Sequence, residues 1–159
     1  MVLIYHMPEP TQPVLIIDDF ATMTRIMMGI VQQLGFVEVD TCQSGEAALA
    51  KLSSRKYGLI LCDLEMDGMT GAEFAGRARG NPYAVQCPIV ITTANRESAA
   101  QCVRDGVHEF VDGFILKPFK AADLQTKLTE IEERLRIKRR HLEQQPVLTP
   151  PKEPAAAGA

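Results

Sequence analysis

Five short apolar runs punctuate the chain, at 14–17 (VLII), 37–39 (VEV), 57–62 (YGLILC), 88–92 (PIVIT) and 110–116 (FVDGFIL). Each is four to eight residues long or shorter, the length of a buried strand. Between them the period lengthens. Over 22–34, Met23, Ile26, Met27, Ile30, Val31 and Leu34 recur at three- and four-residue spacing and Gly35 supplies a stop, which predicts an amphipathic helix. The stretch SGEAALAKL opens a second helix with Ser44 as N-cap and Glu46 in the first turn, where an acid meets the helix dipole favourably. A third follows Gly71 in GAEFAGRAR, a fourth covers about 96–105, and the longest helical pattern runs from 121 to about 143.

Strands alternating with helices predict an α/β fold, because parallel strands need crossovers and right-handed ones dominate. Near-continuous apolar strands fit a sheet covered on both faces. The expected architecture is a doubly wound, five-stranded parallel sheet with five helices, the last extended. In such sheets ligands bind beyond the carboxyl ends of the strands, at the switch in strand order.

Composition narrows the function classes. With 159 residues and 46% hydrophobic content the chain buries one core, so a single domain is expected. A net charge of −3 gives no global affinity for nucleic acid or an anionic membrane. Cys42, Cys62, Cys87 and Cys102 form no C-x-x-C pair and no zinc-ligand spacing, and read as reduced core thiols. The start, 1–12, lacks a basic segment and is interrupted by Pro8 and Pro10, so it reads as an extension rather than a signal peptide. No apolar run approaches the length of a membrane span, and the chain is expected to be cytoplasmic.

The strand ends carry the chemistry. Strand one ends in Asp18-Asp19, strand three in Asp63, strand four in Thr92-Thr93 and strand five in Lys117-Pro118. Clustered carboxylates repel by about 4 kcal/mol per pair at 4 Å and an effective dielectric near 20, so a cation must compensate them. All-oxygen ligands suit Mg²⁺. A divalent ion, an acceptor carboxylate, a hydroxyl and an ammonium together make a phosphoryl-transfer site.

Taken in order, IIDDFATM, LILCDLEM, ITTAN and LKPF resemble the signature of bacterial response-regulator receiver domains, most closely the single-domain CheY-like chemotaxis type, over roughly residues 13–131. The resemblance implies the strand order 2-1-3-4-5. It also implies that Asp63 is the phosphoacceptor, a carboxylate nucleophile toward a phosphohistidine. Asp19 and Asp63 would be direct Mg²⁺ ligands with the backbone carbonyl of Glu65, and Asp18 would act through water. Thr93 would be the switch hydroxyl, Lys117 the ammonium at the acceptor, Lys117-Pro118 a cis peptide and Phe114 the aromatic that turns inward on activation.

The departures from that pattern are informative. Asp67 stands where the family usually has proline, so the loop loses a fixed φ and gains a carboxylate. Glu65 and Asn95 lie two residues past the acceptor and the switch threonine, and an altered phosphoryl lifetime is expected from them. The stretch 105–119 is several residues longer than the family usually has between Gly106 and Lys117. Leu124, Leu128, Ile131, Leu135 and Leu142 continue a seam that Lys138 interrupts, offering a surface for a partner helix from a second copy or a target. Residues 132–145 form a basic extension with Arg134, Arg136, Lys138, Arg139 and Arg140, and 146–159 read as a disordered Pro- and Ala-rich tail.

With no output domain expected after the receiver, the leading reading is a stand-alone switch. It would accept a phosphoryl group from a sensor histidine kinase and bind a flagellar motor or other output protein. A phosphate sink exchanging with a histidine phosphotransfer protein is one alternative. A nucleotide-responsive adaptor working through the basic helix is the other.

Overall fold

The computed structural model describes residues 8–144. The expected tail at 146–159 and the first seven residues of the N-terminal extension lie outside them. Five strands, β1 (Val14–Ile17), β2 (Val39–Cys42), β3 (Leu59–Asp63), β4 (Ile89–Thr93) and β5 (Gly113–Leu116), form one sheet in the order β2-β1-β3-β4-β5. All pairings are parallel. Helices α1 (Ala21–Gln33), α2 (Gly45–Leu52), α3 (Gly71–Ala78), α4 (Arg96–Arg104) and α5 (Ala121–Glu143) cross between strands or follow the last.

Strand alternation divides the core in two. Leu15, Ile17, Ile60, Ile89 and Ile91 pack beneath α2, α3 and α4, whereas Val14, Ile16, Leu59, Leu61, Val90 and Ile115 pack beneath α1 and α5. The central strands are buried throughout, which is why they read as unbroken apolar runs. All four cysteines are buried and free, and burial pushes the Cys87 thiol up to about 12.

The helix starts follow from local chemistry. The Ser44 hydroxyl accepts from the Ala47 N–H, as its sequence context predicts. Thr70 and Glu73 close a capping box on α3, the T-x-x-E pattern of a helix start.

Three expectations need correction. The second strand lies at Val39–Cys42, not 37–39: Val37 is 80% exposed, and this edge strand keeps Asp40 and Thr41 among its four residues, so its periodicity is weak. On α1, Ile26 faces solvent and Thr24 is buried in its place, its hydroxyl bonded to the Ala21 carbonyl at 2.7 Å. The fifth strand is Gly113–Leu116 rather than 110–116, because the extra length after Gly106 forms a 3-10 turn at Val107–Glu109 and a segment anchored elsewhere.

Arg79, at the end of α3, is that anchor. Its guanidinium donates to the carbonyls of Phe110, Ala84 and Cys87, each at 2.8 Å, and to Asp112 Oδ2 at 2.9 Å. Asp112 also accepts from the Ile89 N–H, so the chain joins the sheet only at the next residue, Gly113. Any Cβ there would press on Lys127 and Ile131 of α5.

Candidate active site

The chain order places the switch point between β1 and β3, since β2 lies on one side of β1 and every later strand on the other. Register does the rest. Ile17 pairs with Cys62, so the next residues, Asp18 and Asp63, emerge side by side; Asp63 pairs with Thr92, and Thr93 pairs with Leu116, the residue before Lys117.

One carboxylate oxygen from each of Asp18, Asp19 and Asp63 lies within 4.8 Å of the other two. Asp18 is 1% exposed and Asp63 5%, whereas Asp19 reaches solvent. Lys117 Nζ sits 2.9 Å from Asp63 Oδ1 and 3.2 Å from Asp18 Oδ2. The Lys117–Pro118 peptide is cis. Burial raises the Asp63 carboxyl above its ordinary range; Lys117 opposes the rise, and the charges of Asp18 and Glu65 add to it. Burial by itself would lower the Lys117 ammonium, but Asp63 and Asp18 together carry it above its ordinary value. One ammonium against three carboxylates leaves the pocket formally two charges negative. An oxygen-only, open-edged pocket with that excess fits a hard divalent cation that keeps part of its water shell.

Asp18 Oδ1 accepts the Phe20 N–H at 2.9 Å, which fixes its carboxylate at the head of α1. Asp19 Oδ2 accepts the backbone N–H of Asp67 at 3.2 Å. A proline at that position has no such hydrogen, so the departure at 67 supplies a donor that orients Asp19. Asp67→Pro is therefore expected to weaken Mg²⁺ binding several-fold in calorimetry, while Asp67→Ala, which keeps the N–H, stays near the parent. Equal affinity in the two variants would show that the bond is incidental.

Thr93 is fully buried, and its Oγ1 donates to the Glu65 carboxylate while accepting the Asn95 N–H at 3.0 Å. The Asn95 side chain is committed to capping α4, accepting from Glu97 and Ser98 N–H. Thr92 Oγ1, beside Asp63 in register, is buried with no partner among the described residues. Phe114 is half-buried against the core under α4.

Behind Asp63, α3 begins so close that a Cβ on Gly71 would lie 2.3 Å from the Asp63 carbonyl oxygen. Neither this approach nor the Arg79 anchor was recognised from sequence. Both depend on which elements become neighbours.

The basic residues do not join this site. α5 starts at the carboxyl edge of the sheet and runs back, so Arg134 meets the opposite edge and donates to the Asp112 carbonyl. Arg136 pairs with Glu132 and Glu133 on its own helix. Among the described residues, no helix is long and apolar enough to cross a membrane.

Comparison with known proteins gives the same frame. The response regulator receiver domain family matches residues 14–129. The chemotaxis protein CheY-3 of Vibrio cholerae serotype O1 is 34% identical over 122 residues, covering 77% of this chain and 92% of that protein. The high-resolution structure of chemotaxis response regulator CheY4 of Vibrio cholerae superposes with a TM-score of 0.66 at 27% identity, over 76% of this chain and 98% of that one. The response regulator TrrA of Thermotoga maritima, solved in complex with Mg²⁺–BeF, gives 0.66 at 28% identity, over 76% of this chain and 99% of that one. With its five parallel strands in the order 2-1-3-4-5 and its acidic cluster at the switch point, this chain belongs to the response regulator receiver domain family.

Proposed function

We propose that this chain is a CheY-like phosphorylation switch that takes a phosphoryl group from a sensor histidine kinase onto Asp63, in chemotaxis or motility signalling in the cytoplasm. The observation that carries the proposal is the Lys117 ammonium bonded to Asp63 inside the three-aspartate pocket. An Asp63 carboxylate oxygen forms the new P–O bond. The P–N bond of the phosphohistidine breaks, its electron pair goes to the imidazole nitrogen, and the aspartyl phosphate remains on this chain. Lys117 moves from neutralising Asp63 to neutralising the phosphoryl oxygens, and the Thr93 hydroxyl donates to one of them. Mg²⁺, held by Asp19, Asp63 and the Glu65 carbonyl, with Asp18 acting through water, would supply the remaining positive charge at the transferring group. TrrA's complex with Mg²⁺–BeF supports this reading at the family level.

Withdrawal of Thr93 and rotation of Phe114 would then reshape the face made by α4, β5 and α5 for an output partner. Shifting a population from 1:99 to 99:1 takes about 5.5 kcal/mol, and a dianion gripped by Lys117, Thr93 and a divalent ion is of that scale. Ile137 and Leu142, exposed on the last turns of α5, leave a face for a second copy or a target.

The test is transfer from a phosphorylated histidine domain. Loss of label from the donor and its gain on this chain, absent in Asp63→Asn, is the expected result. Rapid return of label to a histidine phosphotransfer protein, without phospho-dependent capture of an output protein, would make the chain a phosphate sink instead.

A further inference from the structure

Glu65 lies two residues past Asp63, on the loop leaving β3. The residue is exposed, yet its carboxylate turns to the end of β4, where both oxygens stand 2.9 Å from Thr93 Oγ1. A hydroxyl carries a single proton. Thr93 Oγ1 accepts the Asn95 N–H at 3.0 Å, and of the acceptors around its proton the Glu65 carboxylate at 2.9 Å is nearer and charged, whereas the Asn95 carbonyl stands off at 3.4 Å, so the proton goes to Glu65. A bond to an ionised acceptor is about twice as strong as one between neutral groups, and this one holds the hydroxyl of a fully buried residue.

A phosphoryl oxygen on Asp63 needs that same proton, and it too is anionic. The two acceptors cannot both take it, and two anions crowded on one donor repel each other. We propose that Glu65 is a built-in competitor for the Thr93 hydroxyl, holding in the resting molecule the hydrogen bond that the phosphoryl group must take. The inference rests on the receiver reading of Asp63 and deepens it. Phosphorylation then has to evict the Glu65 carboxylate, which is free to swing into solvent because the residue sits at the surface. The backbone carbonyl of Glu65 is untouched by that movement, so eviction does not disturb the metal-binding role expected of it. The device sets the threshold of the switch: a stronger Glu65–Thr93 bond means less active state for a given phosphoryl occupancy. It also explains how one side chain next to the acceptor influences the end of β4 without lying on it.

The test is beryllofluoride binding to the full chain in Mg²⁺, followed by ¹H–¹⁵N spectra, in the parent, Glu65→Ala, Thr93→Val and the double variant. Glu65 is exposed, so its replacement leaves the core intact. Glu65→Ala is expected to bind about tenfold more tightly than the parent, a shift of about 1.4 kcal/mol. In the Thr93→Val background the same change is expected to gain less than about twofold, because the bond it relieves is already gone. An unchanged affinity in Glu65→Ala would overturn the proposal. So would a gain that persists without the Thr93 hydroxyl, which would mean simple charge repulsion. Failure of the underlying reading looks different: no variant, the parent included, responds to beryllofluoride.

Discussion

Lys117→Met is expected to lose both phosphoryl acceptance and much of its stability. In the parent, Asp18 and Asp63 are buried with Lys117 as their common cation, and its side chain is only 13% exposed. Breaking a buried pair by removing one partner leaves an uncompensated charge and typically costs about 3–5 kcal/mol. Methionine keeps most of the stem's apolar volume, so the loss reports the charge rather than a cavity. The rate of acceptor phosphorylation should fall by about 10²–10³-fold, the usual effect of deleting one donor to developing negative charge. The pH dependence has a definite sign. The folded state raises the Lys117 pKa, so its contribution is complete below the unfolded value and is lost as pH rises through the folded one. The folded state also raises the Asp63 pKa, so protonating Asp63 favours folding and the variant should regain stability as pH falls through the carboxylate range. Urea unfolding in EDTA across pH measures the difference, which is largest near neutrality and narrows toward both extremes. A variant as stable as the parent at neutral pH would mean that Lys117 does not compensate the pair.

Gly71→Ala is the second large effect. The added Cβ would lie 2.3 Å from the Asp63 carbonyl oxygen and 3.1 Å from Leu64 Cα, both backbone atoms with no flexible end to move aside. Forced overpacking of this kind costs about 1–3 kcal/mol. Because the clash is with Asp63 itself, the acceptor must shift, and slower phosphorylation is expected along with a lower unfolding midpoint. Gly76, in the same helix, is the control: nothing lies within 4 Å of its missing Cβ, so Gly76→Ala is expected to stabilise by about 0.5–1 kcal/mol. If the two variants behave alike, the close approach of α3 to Asp63 is not a constraint.

The strand ends were legible because each motif sits where an apolar run stops, and a parallel sheet brings those stops to one edge whatever the details of packing. Asp18, Asp63, Thr93 and Lys117 were therefore nameable one by one. Boundaries were less legible where periodicity is weak. VEV looks like a strand, but Val37 is exposed and the polar edge strand begins at Val39. FVDGFIL looks like one too, yet Arg79, more than thirty residues earlier, claims the Phe110 carbonyl and the Asp112 carboxylate. Contacts across the sheet were beyond reach. That Asp67 lends its N–H to Asp19, or that Glu65 reaches Thr93, depends on loop path and rotamer, which residue spacing does not encode.

The most direct measurement is the intact mass of the purified chain after incubation with acetyl phosphate and Mg²⁺, beside Asp63→Asn treated identically. A single added phosphoryl group on the parent, lost in the variant and localised to Asp63, is the predicted result. The contradicting result is an adduct that survives in Asp63→Asn, or no adduct together with no beryllofluoride response, which would place this receiver fold outside phosphoryl signalling.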